Sequence, residues 1–241
     1  MTAPRFFVDI PLVPGLVMLP GDAAHHATRV LRLAAGDPVV LFNGKGGEHH
    51  GQIAGIDRRV VSVQLDRFSP DDRESPLDIT LVQSITSGER MDYALQKATE
   101  LGVSRIVPVT TERTSIKLKA DRAEKRLEHW HKVIISACEQ SGRNVIPGLA
   151  PVCSLRQWLE QKSEKTCLLL HPQAMESLSS VTNVTQPVAI VVGPEGGFSE
   201  QEIDLLQDEG CRLVRMGPRV LRMETAGPAM LAILQAQLGD I

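Results

Sequence analysis

The sequence predicts an α/β protein with a largely parallel sheet, preceded by a small β-barrel or sandwich domain. Three observations carry that expectation. The first 68 residues read as short alternating strands with tight turns. From Asp78 onward, short apolar runs alternate with stretches of helical period. Between the two lies Ser69-Pro70-Asp71-Asp72-Arg73-Glu74-Ser75-Pro76, polar and charged, with the composition of a linker. The expected division is therefore 1–68, a linker over 69–76, and 77–241.

In the first domain, Val39-Val40-Leu41-Phe42 runs into Asn43-Gly44-Lys45-Gly46-Gly47, a hairpin signal, and Gly51 to Ile56 resumes the alternation. Val61, Val63 and Leu65 alternate with Ser62 and Gln64. After the linker, Asp78–Ser84 reads as a strand, and Glu89–Leu101 as a helix with Met91, Ala94, Leu95, Ala98 and Leu101 on one stripe, stopped by Gly102. Arg105–Thr110 is strand-like, although Pro108 should limit its pairing. Asp121 and Glu124 resemble a capping box ahead of a helix striped by Leu127, Trp130, Ile134 and Ala137. Thr166–Leu170, Pro187–Val192 and Arg212–Met216 read as buried strands, with Ser199 and Glu202 capping a helix between the last two. A final helix is expected over Pro228–Leu238.

With 241 residues, 42% of them hydrophobic and 23% charged, the chain can build a core, and disorder is excluded. A net charge of −3 announces no global field toward nucleic acid or membrane. Eight aromatic rings are too few for a stacking platform, so any RNA must be held by local arginines. The opening residues lack a secretory h-region, and no apolar run approaches the ~20 residues that cross a bilayer, so a cytoplasmic protein is expected. The cysteines Cys138, Cys153, Cys167 and Cys211 show no C-x-x-C pairing and read as reduced structural thiols. The pairs His25-His26 and His49-His50 lack the spacing of helical metal ligands, and no metal is expected.

Two stretches carry chemistry. Val188 to Ser199 (VAIVVGPEGGFS) is an apolar strand running into a glycine-rich loop that opens a capped helix, the arrangement that binds ligands at the carboxyl ends of parallel strands. Gly193, Gly196 and Gly197 permit close backbone approach, although GPEGGF matches neither the dinucleotide nor the P-loop spacing. The bland alternative is a tight turn. The second stretch, Met216 to Gly227, again follows a strand and precedes a helix. Arg212, Arg215, Arg219 and Arg222 crowd eleven residues, either as a solvated loop paired with acids such as Glu224 or as a phosphate-facing edge.

GPEGGFSEQE followed by MGPRVLRMETA resembles the signature of SPOUT methyltransferases of the RsmE type. Three further segments agree: KATELGV (97–103) with TERT (111–114), EQSGR (139–143), and HHxxxVLR (25–32) with GD (36–37) and LFNGKGGE (41–48). The resemblance spans the chain in order. It implies S-adenosylmethionine-dependent methylation of N3 of a uridine in 16S (small-subunit) ribosomal RNA, and a homodimer. It also implies a PUA-like RNA-binding domain ahead of a SPOUT domain with a C-terminal trefoil knot. The knot corrects the doubly wound sheet that strand alternation alone suggests. Three loops would hold the cofactor: Leu170, His171 and Pro172; Gly193, Pro194, Glu195, Gly196 and Gly197; and Met216, Gly217, Val220, Leu221, Arg222, Thr225 and Ala226. Met223 stands where the family pattern has Thr, so no hydroxyl is carried over there. Proline at 228 fits a first helical turn.

Methyl transfer from a sulfonium needs neither metal nor covalent intermediate, so orientation should dominate. Removing the N3 proton of uracil leaves charge on two carbonyl oxygens, which Arg219 or Arg222 would stabilise, with Glu224 the candidate base. Glu195 reads as a loop fixer that accepts backbone amides. RNA contacts are expected from Arg29, Arg32, Arg113, Lys117, Lys119 and Arg143. The alternatives are a non-catalytic RNA-binding factor and a SPOUT enzyme acting on another nucleotide; a nucleotide-binding dehydrogenase has little support beyond the glycine loop.

Overall fold

The computed structural model describes residues 3–58, 60–70, 73–114 and 120–241. The chain forms two compact units, Met1–Glu74 with Ile135–Ile146, and Ser75–Ile134 with Pro147–Ile241. The first thus takes in most of the expected linker and a second, later segment.

The first unit holds a five-stranded sheet in the order β1-β3-β4-β5-β2. Its strands are β1 (Arg5–Phe7), β2 (Gly15–Met18), β3 (Pro38–Phe42), β4 (Glu48–Asp57) and β5 (Val60–Ser69). The expected hairpin is present: β3 pairs antiparallel with β4, which pairs antiparallel with β5. Gly47 has φ +68°, and a Cβ there would stand 2.5 Å from the Phe68 ring, so the hairpin requires glycine at that point. Alternation buries Val61, Val63 and Leu65 with Phe6, Val17, Leu41 and Ile53. Helix α1 (Gly21–His25) continues into a π-helical turn, His26–Val30, after which Arg32 takes φ +56°.

The second unit is built on an eight-stranded sheet. Along its main path lie β11 (Glu176–Ser177), β13 (Cys211–Arg215), β10 (Thr166–Leu170), β12 (Val188–Val192), β6 (Ile79–Ser84), β7 (Arg105–Thr110) and β8 (Gly148–Leu149), in that order. The short β9 (Cys153–Ser154) pairs with β7, and every pairing in this sheet is parallel. Parallel strands covered on both faces read as continuous apolar runs, and β12 is buried throughout. Pro108 is accommodated by a gap: β8 pairs with Arg105 and Ile106, and β9 with Val109 and Thr110. Among the described residues Val107 and Pro108 have no strand partner on that side, which suits a residue without an amide hydrogen.

The helices are α2 (Gly88–Glu100), α3 (Ala120–Ser141), α4 (Leu155–Gln161), α5 (Glu200–Asp208) and α6 (Met223–Leu238). The Asp121 capping expectation lies outside the described side chains. Two expectations are corrected. Helix α6 begins at Met223, so Pro228 is its sixth residue and not its first. The missing amide is one that would have bonded the Glu224 carbonyl. Cys167 and Cys211 are joined as a disulfide, because the register of β10 on β13 sets them opposite one another with Cα atoms 4.5 Å apart. Cys138 and Cys153 remain thiols, and burial pushes the Cys138 thiol up to about 12. Among the described residues no helix is long and apolar enough to cross a membrane.

Candidate active site

Strands β10, β12 and β13 are neighbours, so the loops leaving their carboxyl ends meet. They enclose a cleft of about 770 Å³, a volume in the range of small-molecule sites. Leu170, His171 and Pro172 line it from the first loop, Gly193 to Gly197 from the second, and Met216, Gly217, Arg219, Val220, Leu221, Arg222, Glu224 and Ala226 from the third. Of the residues expected to hold the cofactor, Thr225 alone does not line the cleft; it is exposed on α6.

The glycine loop turns on itself, with the Gly197 amide donating to the Pro194 carbonyl at 2.9 Å. Gly197 has φ +69°. At Gly193 a Cβ would meet the Phe198 ring at 2.8 Å, so a side chain there would displace the loop or the ring. The loop then enters α5 through a capping box. Ser199 Oγ accepts the Glu202 amide, and Glu202 Oε2 accepts the Ser199 amide. Glu202 Oε1 also accepts the Glu112 amide at 2.9 Å, which ties this helix start to the segment after β7.

Glu195 does fix the loop, but through side chains: its Oε1 accepts from the Thr86 hydroxyl and from Arg90 Nη1. The Thr86 hydrogen bond, aided by the Arg90 charge, holds its carboxyl below the usual range. It is therefore ionised at neutral pH and a poor acid catalyst. Arg113 Nη1 donates to the Gly196 carbonyl at 2.9 Å, and the residue lines the cleft.

Four arginines (Arg90, Arg113, Arg219, Arg222) and two glutamates line the cleft, an excess of positive charge. Arg212 is taken up by Glu176 in an ion pair. Among the described residues no hydrogen bond or ion pair engages the side chains of Arg219, Arg222 or Glu224, so the internal pairing considered for Glu224 is absent there. Met223 is buried and lines the cleft as the first residue of α6.

Sequence reasoning missed Arg90, Gln173, Val192 and Phe198, and gave Met223, noted beside the cofactor loop, no role. A signal for Arg90 exists: Ser84 to Gly88 is another short polar, glycine-ended connection from a buried strand into a helix. In the first unit Arg29 and Arg32 are exposed. Arg143 corrects an expectation. It is buried at 5% exposure, and its guanidinium is committed to Glu74, which also accepts the amides of Asn144 and Val145. No surface remains on it for RNA. Lys117 and Lys119 lie outside the described residues.

Family models agree with this architecture. Residues 73–235 match an RNA methyltransferase domain, and residues 19–66 match an RNA methyltransferase PUA domain. The ribosomal RNA small subunit methyltransferase E of Buchnera aphidicola is 30% identical, over 98% of this chain and 94% of its own. That of Mycobacterium bovis is 32% identical, over 96% and 90%. The crystal structure of the Neisseria gonorrhoeae protein of that name, bound to S-adenosyl methionine, is 39% identical, with a TM-score of 0.94 over 99% of both chains. Likeness of this extent, in both units and along the whole length, means that the chain belongs to the ribosomal RNA small subunit methyltransferase E family of RNA methyltransferases.

Proposed function

We propose that the chain methylates N3 of a uridine in 16S (small-subunit) ribosomal RNA, using S-adenosylmethionine, in the cytoplasm and as a homodimer. The observation that carries this reading is the convergence of three loops on one cleft at the carboxyl ends of β10, β12 and β13.

The residues present fit the cofactor. Apolar side chains (Leu170, Phe198, Leu221, Met223) alternate with glycine backbone, which suits a flat adenosyl group read by amides and carbonyls. Arginines and glutamates together suit a zwitterionic amino-acid tail. When bound, the cofactor supplies an electrophilic methyl group on a sulfonium.

The rest falls to the protein. Glu224, without a competing cation among the described residues, takes the imide proton from N3 onto its carboxylate. Arg219 and Arg222 hold the negative charge that then spreads over the two uracil carbonyl oxygens. Arg29, Arg32 and Arg113 contact RNA phosphates, joined by Lys117 and Lys119. Residues 1–68 form the RNA-binding domain, and 77–241 the catalytic domain, with a C-terminal trefoil knot.

Nucleoside analysis of small-subunit RNA from cells with and without the protein tests the reading: 3-methyluridine should vanish without it. Label from tritiated cofactor should reach unmodified RNA or intact small subunits. Failure with both leaves a non-catalytic RNA-binding factor. In Glu224→Gln, cofactor affinity should persist while turnover falls at least about a hundredfold; normal turnover removes Glu224 as base.

A further inference from the structure

Three side chains outside the three cleft loops grip the glycine loop. Thr86 lies between β6 and α2 and is fully buried; its hydroxyl donates to Glu195 Oε1. Arg90, in the first turn of α2, donates Nη1 to that same oxygen at 3.2 Å. Arg113, beyond β7, donates to the next carbonyl, that of Gly196. Sheet order explains how they reach. β6 pairs directly with β12, in a register that sets Gln83 opposite Val192, so the connections leaving both strands emerge side by side. β7 is the next strand along.

We propose that Thr86, Arg90 and Glu195 form a positioning clamp, with Arg113 as its outer strap, that sets the glycine loop in its binding conformation before the cofactor enters. The inference rests on the reading of the cleft as the S-adenosylmethionine site.

The physical argument is one of preorganisation. A loop with three glycines in five residues has an unusually large conformational entropy when free, and a ligand that orders it loses affinity by that amount. The turn from Pro194 to Gly197 supplies one backbone–backbone hydrogen bond, too little to order such a segment alone. The clamp adds two charge-assisted bonds to one carboxylate and a third to the following carbonyl. All act on the Glu195 side chain and the Gly196 oxygen. Thr86 suits the role because a β-branched side chain is stiff, and a buried one delivers its hydroxyl from a fixed point.

The test uses the full chain without RNA. Binding of S-adenosylhomocysteine is measured by titration calorimetry, and amide hydrogen exchange at Gly196 and Gly197 is followed in ligand-free protein. Thr86→Val keeps the shape of the side chain and removes the hydroxyl; Thr86→Ser keeps the hydroxyl. Arg90→Gln is a second variant, at a half-exposed site that a fold tolerates. Thr86→Val and Arg90→Gln should each weaken binding about tenfold and speed exchange at both glycines, while Thr86→Ser stays near wild type. In turnover the loss should fall on KM for the cofactor, with kcat at saturation little changed. Equal binding by Thr86→Val and Thr86→Ser, or unchanged exchange at the glycines, overturns the clamp. If the unaltered protein binds no S-adenosylhomocysteine, the reading of the cleft fails instead. Should Thr86→Val not fold, Arg90→Gln decides alone by the same two readouts.

Discussion

Glu139 shows how one side chain imposes a pH dependence on the first unit. Its carboxylate accepts the Phe7 amide at 2.9 Å. Burial raises its pKa, and the amide, His26 and Arg5 offset only part of that rise. A carboxyl whose folded value lies above its unfolded one gives stability that is full below about pH 4.3 and is lost as pH rises through the raised value. Glu195 has the opposite sign: its depressed carboxyl stabilises at neutral pH, and that contribution disappears as the solution becomes more acid than the ordinary carboxylate range. Glu139→Gln should therefore gain on the unaltered protein as pH is raised from 4 to 7. Urea midpoints at each pH measure the difference, and a constant difference would exclude Glu139 as its source.

The helix starts are the elements most open to test. Both α4 and α5 begin with full capping boxes, Ser154 with Gln157 and Ser199 with Glu202. Replacing either serine with alanine should cost about 1 kcal/mol by thermal or chemical melting. Glu202→Ala should cost more than Ser199→Ala, because it also releases the Glu112 amide; an equal cost would show that this bond contributes nothing. Such signals were legible because they are local. The Ser199 box and strand Thr166–Leu170 could be read from adjacent residues, and the structure shows both. The start of α6 could not. Gly227-Pro228 reads as a beginning, yet the helix opens five residues earlier, its N-terminus facing the cleft, and tolerates the loss of one bond within. Strands β1 and β2 also escaped: three and four residues are too short for a period to show.

At the scale of the whole molecule, the cleft was legible where it is continuous in sequence and hidden where sheet order builds it. Residues 193–197 announce themselves by glycine and position. Arg90 joins them because β6 lies beside β12, a neighbourhood that no local pattern encodes. The same limit explains Arg143, whose motif said RNA while its fold gave it Glu74. The eight rings, too few for a stacking platform, serve largely for packing: Phe6, Phe42, Trp130, Trp158 and Phe198 are buried and Phe7 partly so, leaving Phe68 and Tyr93 exposed by about half. With a net charge of −3 and no aromatic platform, affinity for RNA must come from a few placed cations, and those cations can be counted. Each phosphate contact adds roughly 0.7 to 0.9 to the slope of log affinity against log salt. Replacing Arg29 and Arg32 together with alanine should lower that slope by about 1.5, with melting unchanged. Arg143→Ala should do the reverse: an unaltered slope, and a loss of about 3 kcal/mol of stability as the half-buried Glu74 carboxylate loses the guanidinium and keeps backbone amides to offset its charge. Binding measured across a series of potassium chloride concentrations separates the two arginine classes. A slope that falls with Arg143→Ala and not with the double variant would assign the RNA surface to the wrong face of this unit.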